Sequence, residues 1–180
     1  MIRPVALTAG FVVLAGMMAW AAEQAPKKSA EASAPDAAAV ERARKTVRML
    51  DEVYKQTVVL ITDKYVHDQD DFAAGSAAVL LFKNISKSGH QQVRLLDVSG
   101  DPYEPENVAK SSFEKEGVKR IKAGAASYDE VLKKDGKFEL HAITSVPVVM
   151  DKCIMCHAHY ADAKKKNQAV GAISYIVPIE

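Results

Sequence analysis

Cysteine is nearly absent from this sequence: there are two in 180 residues, alongside one tryptophan and an aromatic content of 7%. Two cysteines cannot staple a scaffold through several disulfides. Charge of one sign is also missing, since 24 basic side chains face 23 acidic ones and the formal charge is +1. That balance excludes the basic excess expected of a nucleic-acid binder. No internal repeat is visible, and only the N-terminus carries a long uncharged run. What is present supports a packed core. Hydrophobic residues make up 48% and charged residues 26%, a composition that excludes wholesale disorder and fits one ordinary domain with a short appendage.

Met1-Ile2-Arg3 gives a short basic start, and the stretch from Pro4 to Ala22 is uncharged. It ends in Ala19-Trp20-Ala21, the small-residue pattern of a signal-peptide cleavage site. The expectation is a signal peptide over residues 1–21, cleaved before Ala22, with the mature protein in a bacterial periplasm. The alternative is an uncleaved N-terminal anchor, because about 20 apolar residues can span a bilayer. No cysteine follows the run, which excludes lipoprotein attachment, and losing Arg3 with the leader leaves the mature chain neutral. Residues 22–35 (AEQAPKKSAEASAP) have almost nothing to bury and read as a flexible linker.

The domain expected over residues 36–180 starts with Asp36 as a helix N-cap. Val40, Ala43, Val47, Leu50, Tyr54, Thr57, Ile61 and Tyr65 then recur at helical spacing to about Val66. A polar segment from His67 to Asp71 breaks the pattern, and a second helix is expected from Ala73 to Ile85. Gln92 to Val98 reads as a strand ending in the Ser99-Gly100-Asp101-Pro102 turn. Ser112 to Ala123 reads as a helix closed by Gly124. Tyr128 to Leu132 and Phe138 to Val149 flank Lys134-Asp135-Gly136, a hairpin signal, and Ala169 to Ile179 forms a last strand. Helices first, then an antiparallel sheet with one helix inserted, make the fold class α+β.

Both cysteines fall in Cys153-Ile154-Met155-Cys156-His157, the spacing of a c-type haem attachment site. Each thiol can add across one haem vinyl group, and a two-residue gap lets one local turn present both sulfurs to one porphyrin edge. The adjacent histidine then reaches the iron. Cys153 and Cys156 are thus read as attaching one covalently held haem c, with His157 as its proximal iron ligand. Two other chemistries fit the residues. A C-x-x-C pair can exchange disulfides, though usually within a βαβ frame. Zinc could be held by Cys153, Cys156 and His159 with a fourth ligand from His67, His90 or His141.

The sixth iron position separates the functions, because a strong distal ligand suits electron transfer and an open site suits small gases. His67 and His141 are the distal candidates. His90 reads as a surface residue, His159 is too close to His157 to reach the other side, and Met49, Met150 and Met155 read as core fillers. An unoccupied or weakly occupied sixth site is the other reading. Phe113, Tyr128 and Tyr175 are candidates for the pocket wall, Arg94 for a haem propionate partner, and Lys164-Lys165-Lys166 for docking an acidic redox protein.

The segments VRLLDVSGDPYEPEN, FEKEGVKRIKAG, VPVVMDKCIMCH and GAISYIVPIE, in that order, resemble a family of exported bacterial haem domains long catalogued as a domain of unknown function. The resemblance spans about residues 40–180. It implies a Per-Arnt-Sim (PAS) type antiparallel sheet behind a long N-terminal helix, haem attached at Cys153 and Cys156, ligation by His157, and a role in redox or gas sensing. The family's turn asparagine corresponds to Asn107, as a turn cap or as part of the loop closing the haem side. A cyanobacterial branch ligates the iron with a third cysteine on the helix before the first long strand. Ala77 to Phe82 here has neither cysteine nor histidine, so that ligand does not carry over.

The function that follows is a periplasmic monohaem protein sensing redox state or a diatomic gas such as NO or CO, with a separate redox or signalling protein as partner. A small electron-transfer cytochrome with two strong axial ligands is the alternative. An enzyme is disfavoured, since no distal acid–base pair is identifiable. A homodimer through the long helix is a further expectation.

Overall fold

The computed structural model describes residues 34–68 and 71–180, with Cys156 through its backbone alone. The expected signal peptide over 1–21, its alternative as an anchor, and most of the 22–35 linker lie outside the described residues.

Asp36 caps helix α1 (Ala37–Tyr65), its carboxylate accepting from the Ala39 amide at 3.0 Å. Helix α2 (Ala74–Lys87) follows, then strand β1 (Gln92–Asp97). The Asp97 carboxylate turns the chain by accepting from the amides of Ser99 and Gly100, at 3.2 and 2.6 Å. A short 3-10 turn (Pro105–Asn107) leads to helix α3 (Ser112–Lys122), which begins with a capping box between Ser111 and Glu114. Strands β2 (Ser127–Lys134) and β3 (Lys137–Pro147) form the expected hairpin, with Asp135 and Gly136 both at positive φ in its two-residue turn. Helices α4 (Lys152–Cys156) and α5 (Ala161–Lys165) then precede strand β4 (Ala169–Pro178).

The four strands pair antiparallel in the order β1-β4-β3-β2, so the last strand enters the middle of the sheet. Helices α1 and α2 cover one face. Val93, Leu140, Ala142, Ile173, Tyr175 and Val177 meet Val47, Tyr54 and Phe82 there. Helix α3 covers the other face, where Leu96, Ile143 and Ala172 pack against Phe113 and Ile121. This is the expected α+β class with its antiparallel sheet and long N-terminal helix.

The buried side of α1 departs from the expected stripe at its C-terminal end. Tyr65 is 72% exposed, while Thr62 and Val66 are buried. Steps of four from Tyr54 run through Val58, Thr62 and Val66, and the side of α1 that meets the rest of the molecule follows that row. Met49, Val53 and Leu60 remain exposed on α1, the helix expected to mediate a homodimer.

Candidate functional site

Beyond the C-terminal end of β1, between the sheet and the helices of its α1/α2 face, the molecule holds a half-open cavity of about 770 Å³. That lies within the roughly 300–1,000 Å³ usual for cofactor pockets. α1 contributes Val58 and Thr62, and α2 contributes Ala74, Gly75, Ser76 and Val79. Leu95 and Val146 form the sheet floor, and the loop after β1 adds Pro102, Tyr103 and Asn107.

The cysteine motif reaches this cavity from the β3–β4 connection, where Cys153 and His157 both line the wall. Lys152 anchors the motif by donating to the carbonyls of Asp63 and Val66, at 2.6 and 3.0 Å, at the C-terminal end of α1. α4 ends at Cys156, and His157 leaves helical geometry with φ −126° and ψ 66°. Its ring stacks on Tyr160 at 4.7 Å between centroids and meets Tyr103 edge-on at 5.7 Å. Burial, and secondarily His159, holds the His157 imidazole below its ordinary pKa. The neutral ring with a free lone pair, the form a metal requires, is thereby favoured near neutral pH. Burial, then Asp97, pushes the neighbouring Tyr160 phenol up.

Neither distal candidate lines this cavity. His141 lies on the α3 face of the sheet, edge-on to Phe113 at 5.4 Å and 3.0 Å from the Glu139 carboxylate. The sheet itself separates it from the cavity, because its parity along β3 is that of Ile143 and opposite to that of Leu140 and Ala142. His67 is exposed outside the cavity wall, its amide donating to Asp71 at 2.6 Å. Among the described residues, His157 is the only histidine lining the cavity, and no methionine lines it.

The expected wall residues are also displaced. Phe113 and Tyr128 stack together on the α3 face, and Tyr175 is buried beneath α1. Tyr103 and Tyr160 stand at the cavity instead, and no periodicity marked them because both lie outside long elements. Arg94 is committed to the protein, donating to the carbonyls of Glu106 and Val108 at 2.7 and 2.8 Å. Lys164 pairs with Asp151 at 2.5 Å, while Lys165, 3.7 Å from Asp162, and Lys166 stay exposed. The all-antiparallel sheet removes the βαβ frame of a disulfide oxidoreductase.

Residues 27–178 match the Tll0287-like family. The chain belongs to the Tll0287-like family. No curated protein matches it. Among solved structures, it resembles the cyanobacterial haem protein Tll0287 at 13% identity, over 77% of this chain and 95% of that one, with a TM-score of 0.56. That likeness establishes a shared fold for this family member. It bears out the resemblance read from the order of the sequence motifs.

The residues at the cavity fit a c-type haem. A half-buried free thiol at Cys153 and a neutral imidazole at His157 share one wall, and most other walls are apolar. An apolar surround suits a porphyrin face, and covalent attachment needs the thiol accessible from within the cavity.

Proposed function

We propose that this chain is an exported monohaem c-type protein that responds to a diatomic gas, such as NO or CO, or to redox state. Cys153 and Cys156 attach the haem and His157 ligates its iron. The observation that carries the reading is the cavity wall. The attachment motif stands at it, while α2 lines it with Ala74, Gly75, Ser76 and Val79, side chains that do not compete for iron. The Tll0287 structure is that of a haem protein, which supports the same cofactor here.

When bound, haem supplies an iron that changes charge and takes small ligands. The chain's own residues set the conditions. Burial keeps His157 neutral and able to donate its lone pair. Val58, Val79, Leu95 and Val146 make one side of the cavity apolar, which strengthens the effect of any charge change beside them. Lys152 fixes the motif to the end of α1, so a shift at the motif is transmitted to the longest helix of the domain. Signalling would pass from there to a partner protein.

Visible absorption of the holoprotein, oxidised and reduced, with and without CO, tests the proposal. A high-spin or CO-responsive ferrous spectrum is expected. A low-spin spectrum indifferent to CO would transfer the protein to the electron carriers, and absence of covalent haem would end both readings.

A further inference from the structure

β1 is an edge strand, and the loop after it folds back along that edge. Two side chains hold the loop there. Arg94 donates to the Glu106 and Val108 carbonyls, and the carboxylate of Glu114, only 6% exposed, accepts from the Lys110 amide at 2.8 Å and contacts Arg94 at 3.4 Å. Between this strap and α2 lies a second pocket of about 260 Å³. Its floor is apolar, with Val79, Phe82, Val93 and Leu95, while Lys83, Glu106 and Lys110 stand among its polar lining. Val79, Leu95 and Asn107 line both this pocket and the main cavity. Three residues, one of them carried by the strap, thus border both spaces.

We propose that the side pocket is the access route by which a small neutral diatomic molecule reaches the main cavity, with Val79, Leu95 and Asn107 as its throat and Arg94 as the residue that positions Asn107. The chemistry of the walls selects the traveller. An apolar floor accommodates a neutral diatomic molecule without desolvation, whereas an anion or a hydrated cation would have to shed water to pass Val79 and Leu95. The throat is also adjustable. Asn107 sits on a 3-10 turn whose attachment to the sheet edge runs through Arg94, so loosening that attachment widens the passage.

The inference rests on the proposed haem reading for its purpose, and one of its tests is independent of it. Methyl resonances of the holoprotein in xenon-saturated buffer report occupation of the route whatever the iron coordination. Val79, Val93 and Leu95 methyls are expected to shift, and those of Val47, on the buried face of α1, to stay. Unshifted Val79, Val93 and Leu95 methyls would overturn the route. For the ferrous protein, CO kinetics after photolysis give a second signature. A throat changes association and dissociation by the same factor and leaves the affinity unchanged. Lys83→Trp is expected to slow both roughly tenfold, and Arg94→Ala and Lys110→Ala to speed both, all three at residues that line the side pocket and not the main cavity. Rates unchanged in all three variants would place the passage elsewhere and refute the proposal. Failure of the wild-type protein to bind CO would count against the open iron site, and the xenon shifts would then decide the route alone.

Discussion

The Tyr175 hydroxyl, at the centre of the sheet, donates to the Asp51 carboxylate of α1 at 3.0 Å, and Thr144 donates to the same oxygen at 2.5 Å. Lys55 holds the other carboxylate oxygen at 2.8 Å. One acidic side chain thus ties the long helix to β3 and β4. Replacing Tyr175 by Phe is expected to cost about 1–3 kcal/mol, the range for a buried hydrogen bond to a charged group, as read by urea unfolding.

The same pair sets an alkaline limit. Burial first, then the Asp51 charge, pushes the Tyr175 phenol far above its ordinary value. A raised pKa means that the fold favours the protonated form. Its contribution is complete below about pH 10, where an unfolded tyrosine ionises, and is lost progressively as pH rises beyond that. Unfolding measured across this range should show stability falling less steeply in Tyr175→Phe than in wild type. Equal slopes would exclude Tyr175 as the group responsible.

Histidine replacement should separate three of the five histidines by place. His157→Ala is expected to abolish the native haem spectrum. His67→Ala and His141→Ala should leave it unchanged, since neither lines the cavity, with His141→Ala costing about 1 kcal/mol through the lost Glu139 contact. A spin-state change in either would restore that residue as a distal ligand.

Gly75 lines the cavity, and a Cβ added there meets nothing within 4 Å. Gly75→Ala should therefore fold normally and gain about 0.5–1 kcal/mol from helix propensity in the thermal midpoint. Gly75→His should place an imidazole in the cavity and convert the iron to a low-spin form that resists CO. Retention of a CO response equal to wild type would show that α2 does not border the iron.

Gly117 makes the opposite case. A Cβ there would lie 2.6 Å from Cγ2 of Ile143, which is fully buried. Gly117→Ala should lose about 1–3 kcal/mol despite the better helix former, because overpacking outweighs propensity. Adding Ile143→Val should recover part of the loss, a coupling that a double-mutant cycle reads directly.

Sequence by itself determined the long elements of this protein and its Cys-x-x-Cys-His motif, because both are local, whereas the five-residue helices α4 and α5 were not expected from it. The Asp36 cap, the periodicity of α1, the Asp135-Gly136 turn and the spacing of Cys153, Cys156 and His157 each depend on residues a few positions apart. Tertiary structure alone decided what faces the cavity. Leu140, Ala142, Ile143 and Thr144 are all buried, so alternation along β3 gives no sign of which face borders it, and His141 falls on the far side. Tyr103 and Tyr160 reach His157 from irregular segments that carry no periodic signal. The same holds for Gly117, a helix weakness in sequence terms that becomes a packing requirement once β3 lies against α3. Pairing of β4 between β1 and β3 joins residues distant along the chain, and it brings Leu95, Val146 and Gly171 together at the cavity on which the proposed function rests.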